Sequence, residues 1–526
     1  MYYALFVEHV SPLGSDKIFF PWGCDLRNHT LSLANGLLAS PVTFFLGPDV
    51  AYNLLFVLWT FLTGCFAALW ARELGQGTVP ALVAGFLAAF SPYRFAHLEH
   101  LNLFSTPWLF LSFFLCERML TPSGKTCTWL YFTLAWLFAV FTDWYYGLFV
   151  GLYFGLRLLF YLKECKSLPL SHWLKILGLP VSVLSVCLLG YFYKPVGSQG
   201  LLVTPDPVDI PFSSFWSLDL LHWVFPLWMI SLFHLPISAD SEFRVHPGMV
   251  LVLLGLWAWR GRGSDEMPIH RRRFLKTVTF LFLVISLGPV LNFAGASVNI
   301  AGIPVILPSL VFNAIPMLTS MRVFARFGYI GFLGLSLLGV TRLGVWLDSR
   351  VSEKTRLGVW VVLGILFLAE TQWRFPQMVE YTVPASLFVG VHGPILEIPF
   401  TPSRFSGLHL YHQTVHHQPI YVAEFSRLNR YKKRYLIRFP FLKELNDLAW
   451  GKSFSPLESQ GLEEHMRENL SVLRPGKILI QSLFAGNGDA GPNREEFKRI
   501  EEYLQKSQRF LIEYETPPEL QNPSPG

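Results

Sequence analysis

The chain has 526 residues, of which 52% are hydrophobic and 16% aromatic, while only 15% are charged. A soluble domain carries roughly a quarter charged residues, so this composition excludes an ordinary soluble enzyme and fits a polytopic membrane protein. The formal charge of +6 gathers in short loops such as 260–273, a bias that belongs to membrane topology and not to nucleic-acid binding.

Residues 1–49 are too broken to span a bilayer: Pro12, Gly14, Pro21, Gly23, Asp25, Arg27 and His29 interrupt them. The stretch from Leu31 to Phe45 is amphipathic, so an extracytoplasmic loop with helices lying on the membrane surface is expected there. Met1 to Val7 is apolar but lacks a basic flank and soon meets Glu8, His9 and Pro12, so no cleavable signal peptide is expected. About ten spans follow, at 50–72, 79–93, 103–120, 127–143, 145–163, 173–192, 247–260, 273–292, 325–346 and 356–371. The run from Trp129 to Leu162 is too long for one helix, and the polar-aromatic Thr142-Asp-Trp-Tyr-Tyr-Gly147 is the expected turn. Alternate loops carry the arginines and lysines, from Arg72 and Arg118 through Arg271–Arg273 to Arg350 and Lys354, and these face the cytoplasm by the positive-inside rule. The remaining loops then lie outside. Residues 372–526 turn globular in composition, with strands expected near 393–400 and 477–483 and helices near 457–474 and 493–510. That segment reads as an extracytoplasmic α/β domain, with 50–371 as the transmembrane core.

Ionisable groups at a membrane boundary are costly unless paired or used, so their positions point to function. Ser91-Pro-Tyr-Arg-Phe-Ala-His-Leu-Glu-His-Leu-Asn-Leu103 packs Arg94, His97, Glu99 and His100 between two apolar runs. Arg322 and Arg326 stand four apart at the start of a span, hence on one helix face, and guanidinium suits a lipid phosphate. In each case the alternative is a polar turn that only anchors its helix at the interface. His412, His416 and His417 could ligate a metal, but no cysteine or carboxylate pattern accompanies them. The six cysteines show no paired spacing and read as packing residues.

Acidic and histidine groups gathered at one face of a many-span core suit chemistry on a membrane-embedded substrate. Glycosyl transfer from a polyprenyl-phosphate sugar needs a carboxylate as base for the acceptor hydroxyl, and Glu99, Asp25 or Asp143 would serve. It also needs cations, or a divalent metal such as Mg or Mn, to take the charge of the leaving phosphate. Arg94, His97, His100, Arg322 and Arg326 are candidates for that role.

Several motifs carry a family resemblance: Phe20-Pro-Trp-Gly-Cys-Asp-Leu-Arg-Asn-His-Thr30, Leu46-Gly-Pro-Asp-Val-Ala-Tyr-Asn53, the 91–103 stretch, Ser217-Leu-Asp-Leu-Leu-His-Trp-Val-Phe-Pro226, Ser286-Leu-Gly-Pro289, 322–327 and 393–427. On these the chain resembles bacterial multi-spanning membrane proteins of the GT-C glycosyltransferase superfamily. The resemblance implies a GT-C-like helical core in the bacterial cytoplasmic membrane and a polyprenyl-phosphate sugar donor. The acceptor would be an extracytoplasmic glycan, lipid or protein. It adds His29 and Asp219 to the substrate-binding candidates, and it places an acidic residue in the first outer loop, where Asp25 stands, and a second in a later outer turn, where Glu99 stands. The superfamily starts with a span from the cytoplasm, so the resemblance also implies that a first span is missing here. Two other classes remain open: a non-catalytic scaffold for envelope glycopolymers, and a transporter or flippase, the latter disfavoured by rim charges and the lack of a clear repeat.

Overall fold

The computed structural model describes residues 3–26, 32–120, 126–164, 210–261, 267–315, 318, 321–371, 388–398, 403–423, 429–449 and 477–480, with five isolated positions between 178 and 186. The chain divides into two compact units. The first comprises residues 1–7, 30–192 and 207–378, and the second comprises 8–29, 193–206 and 379–526.

The first unit is a helical bundle. Its helices are α1 (Leu33–Glu73), α2 (Thr78–Ala89), α3 (Pro92–Ala96), α4 (Leu101–Phe104), α5 (Pro107–Met119), α6 (Thr126–Thr142) and α7 (Trp144–Glu164). After these come α8 (Ile210–Phe215), α9 (Leu220–Val224), α10 (Leu227–Leu232), α11 (Met249–Arg260), α12 (Ile269–Ser286), α13 (Val311–Ala314), α14 (Phe327–Asp348) and α15 (Glu353–Thr371). Among the described residues four helical stretches are long and apolar enough to cross a membrane: Leu33–Glu73, Thr78–Ala96, Trp144–Lys163 and Phe324–Asp348. The chain is therefore a mostly helical membrane protein.

Local chemistry sets where the helices break. α1 contains both the expected surface helix and the expected first span. They are separated at Gly47, whose φ of 85° only glycine adopts readily, and Pro48 restarts the helix. The expected span 79–93 ends at Phe90, after which the Ser91 side chain caps α3 and Pro92 opens it. The expected 103–120 span is interrupted at Ser105 and Thr106 before Pro107 begins α5. The expected 273–292 span stops at Ser286, because Gly288 at φ 73° and Pro289 turn the chain out of the helix. Apart from five isolated positions, the expected 173–192 span lies outside the described residues. α14 is the hub, buried along nearly its whole length between α2, α11 and α12. α1 and α2 cross so closely at Gly64 and Gly85 that a Cβ on Gly85 would stand 2.5 Å from the Gly64 carbonyl oxygen.

In the second unit, β1 (Gly14–Ser15) pairs antiparallel with β2 (Cys24–Asp25), and β7 (Ile395–Ile398) pairs parallel with β8 (Lys477–Ile480). The segment from Pro419 is bonded on two sides: the Ile395 amide donates to the Pro419 carbonyl (2.8 Å), and Ile420 exchanges bonds with Lys17 and Phe20 (2.8 and 3.2 Å). The segment around Lys17 and Phe20 thus packs with the C-terminal part of the chain. Expected helices at 457–474 and 493–510 lie outside the described residues.

Glu397 on β7 is buried against two histidines of the helix Ser403–His416: His412 Nδ1 lies 2.5 Å from Oε2, and His416 Nε2 lies 4.0 Å from Oε1. The neutral His416 ring accepts the Gln418 amide at Nδ1 (2.9 Å). Burial pushes this ring down to about 4, with His412 and His417 adding to the effect and Glu397 opposing it. The unfolded chain takes up that proton near pH 6.5, so stability is full above 6.5 and is lost as pH falls toward 4. Thermal unfolding followed from pH 7.5 to 4 is expected to show this loss, and His416→Gln is expected to flatten it. An unchanged pH profile in that variant would remove His416 as its source.

Candidate functional site

At one end of the bundle the breaks between helices bring polar side chains together. The 3₁₀ turn Ser241–Phe243 is capped by Asp240, whose Oδ1 accepts the Glu242 amide (3.1 Å), and this aims Glu242 inward. Arg326, in the 3₁₀ turn that leads into α14, donates to both Glu242 oxygens: Nε to Oε2 at 3.0 Å and Nη2 to Oε1 at 2.6 Å. This is the planar two-point grip that guanidinium favours. His97, at the end of α3, places Nε2 3.0 Å from Glu242 Oε2 and Nδ1 2.7 Å from the Tyr93 carbonyl oxygen. Both partners are acceptors, so both contacts are hydrogen bonds only when both ring nitrogens carry protons. Burial alone would raise the Glu242 carboxyl, but Arg326 and the His97 hydrogen bond outweigh it and hold the group well below the usual carboxylate range.

A second layer supports this cluster. Asp143, the single residue between α6 and α7, accepts Asn102 Nδ2 (2.6 Å) and the Tyr145 amide (2.8 Å). The Tyr145 hydroxyl accepts the Arg322 and Val323 amides (3.2 and 2.9 Å), and the Arg326 guanidinium lies over the Tyr145 ring at 4.8 Å. His100 stands 6.1 Å from His97, ring to ring. Partial burial lowers its affinity for a proton, as do His97 and Arg326, while Glu242 and Glu99 oppose them, so all four groups act on one imidazole. Glu99 itself is exposed. It stands at the rim of an apolar cleft of about 1150 Å³ between α1 and α2, lined by residues such as Tyr52, Phe56, Phe61, Phe86 and Phe95.

Of the residues expected from sequence, His97, His100, Glu99, Asp143, Arg322 and Arg326 meet at this end of the first unit. Arg94 is buried beneath them: its Nε donates to the Phe104 carbonyl (2.9 Å), Nη1 donates to the Ala89 carbonyl, and the group lies 4.0 Å from the Phe104 ring centroid. It ties the end of α2 to the end of α4. Asp219 caps α9 and accepts the Ala294 and Gly295 amides (3.2 and 3.0 Å), so it clamps a loop. Asp25 is buried in β2 of the second unit. His29 lies outside the described residues.

Glu242 is the residue the sequence reading did not single out. Its signal was one of two carboxylates in Asp240-Ser-Glu-Phe243 just before a span, among several acidic residues of the same loop. Among the described residues no group of three His, Cys, Asp or Glu converges as an all-protein metal cage. His412 hydrogen-bonds Glu397 instead, and His416 stands 4.0 Å from its other oxygen.

No family model matches the chain, and no curated protein does. Among solved structures it is similar to the archaeal oligosaccharyltransferase AglB from Archaeoglobus fulgidus, in complex with an inhibitory peptide and a dolichol-phosphate. The TM-score is 0.38 and the sequence identity 11%, over 80% of this chain and 60% of that one, so this chain spans less than two thirds of that protein's length.

Proposed function

We propose that the chain is a membrane glycosyltransferase that moves a sugar from a polyprenyl-phosphate donor to an extracytoplasmic acceptor. It would work in the bacterial cytoplasmic membrane, with residues 372–526 outside. The observation that carries this reading is the His97–Glu242–Arg326 cluster beside an apolar cleft lined at one point by an exposed carboxylate, Glu99. In this reading the cleft takes the lipid tail, and Arg326, Arg322 and His97 offset the charge that develops on the leaving phosphate as its bond to the sugar breaks. The acceptor oxygen forms the new bond and gives its proton to a carboxylate. Glu242 is too weak a base for that step, both Asp143 oxygens already accept hydrogen bonds, and Asp25 is buried in the second unit, which leaves Glu99 among these candidates. No step is routed through a metal. A scaffold role has one observation of its own, that Glu242 and Asp143 are fully satisfied within the protein.

Transfer from radiolabelled polyprenyl-phosphate sugars, assayed in membranes, is expected to fall about 10²–10⁴-fold in Glu99→Gln at equal expression. Undiminished transfer would remove Glu99 as the base. No transfer by the unaltered chain from any donor would favour the scaffold.

A further inference from the structure

At the same end of the bundle two stretches run between the long helices: residues 210–238, with the short helices α8, α9 and α10, and residues 287–321. Asp219 is the one charged side chain in both together, whereas at the chain's own frequency of 15% sixty-four residues would carry about ten. Asp219 is itself buried as the clamp on Ala294 and Gly295, so it adds no charge to the surface. The second stretch folds into two small hairpins, β3 (Asn292–Phe293) with β4 (Ala296–Ser297) and β5 (Asn299–Ile300) with β6 (Ile303–Pro304). They are stitched together by Leu291 to Val305, Val298 to Leu291 and Val305 to Val298 backbone bonds of 2.8–3.0 Å. Their side chains point away from the protein: Phe293, Ile300, Ile303 and Ile306 are exposed, Ile300 by 69%. Phe215 and Phe233 from the first stretch are exposed likewise.

A loop surface that is apolar and almost uncharged excludes water as its normal neighbour. Lipid-exposed irregular backbone is not tolerated in the hydrocarbon core, but hairpins that satisfy one another's amides can rest at its boundary. The apolar outer faces of α1 and α12, where Phe61 and Phe280 are exposed, bring lipid up to this end of the bundle. We propose that residues 210–238 and 287–315 form a collar that dips into the headgroup–acyl boundary of the leaflet around the Glu242 cluster. Its occupant is the lipid surface. The collar would bring the bilayer surface to the level of the site, whatever reaction runs there.

The test is an environment-sensitive fluorescent amino acid placed at Ile300, with the exposed Ser349 at the far end of α14 as control. The full chain is reconstituted in phosphatidylethanolamine–phosphatidylglycerol vesicles. Expected at Ile300 are a blue-shifted emission, strong quenching by lipids spin-labelled near the headgroup, and iodide quenching several-fold weaker than at Ser349. Equal iodide quenching at the two positions would overturn the proposal in favour of a water-exposed loop. Protection at Ile300 from both quenchers would overturn it in favour of a second copy of the chain covering the collar.

Discussion

Glu242→Ala is expected to destabilise the first unit by about 3–5 kcal/mol, because it strands the Arg326 guanidinium and the His97 ring without their carboxylate. Arg326 is buried and Glu242 nearly so, and the lost interaction includes two charge-assisted bonds to Arg326 and one to His97. The double variant Glu242→Ala/Arg326→Met removes the stranded charge as well and is expected to recover much of the stability in thermal unfolding of the detergent-solubilised chain. Sugar transfer is expected to stay absent in the double variant. Recovery of both stability and transfer would reduce the cluster to a structural lock and withdraw it from the site.

The second large effect lies at the other end of the bundle. Glu117 on α5 is fully buried, accepting Arg157 Nε (3.0 Å) and the Tyr153 hydroxyl (2.6 Å), both from α7. The Tyr153 hydroxyl in turn accepts Trp70 Nε1 of α1 (2.8 Å). Three helices are thereby joined through one carboxylate. Glu117→Ala is expected to cost about 3–5 kcal/mol through the uncompensated Arg157, and Glu117→Ala/Arg157→Met to restore most of it. Here transfer is expected to return together with stability, since nothing at this end touches the proposed reaction. A stable double variant that transfers no sugar would show that this network does more than hold α1, α5 and α7 together.

The contrast between these two networks marks what the sequence could reveal. Helix positions were legible because hydropathy and proline and glycine placement are local: Gly47-Pro48, Ser91-Pro92 and Asp143 all break helices where their chemistry requires. The assignment of His97, Asp143 and Arg326 to loops of one face was a reading of loop alternation, which needs no knowledge of packing. Their pairing was not. Glu242 meets His97 across 145 residues and Arg326 across 84, and no local pattern distinguishes it from Asp240 or Asp219. Arg94 was a candidate by type and Asp219 by resemblance, yet each bonds to backbone groups of its own unit, a use that depends on where distant carbonyls and amides come to lie. The place of residues 8–29 was hidden for the same reason, since Gln413 reaches the Lys17 carbonyl across 396 residues.

That last pairing constrains how the chain can be threaded. Lys17 and Phe20 bond the backbone of Ile420, so the first and last parts of the second unit must reach the same side of the bilayer before it can form. The number of crossings between residues 30 and 378 is therefore even. Deleting or adding any one span would leave a charge-rich domain divided by a membrane, however well the remaining helices packed. At about 5–20 residues per second of synthesis, residues 17–20 wait roughly 20–80 s for their partner strand to emerge.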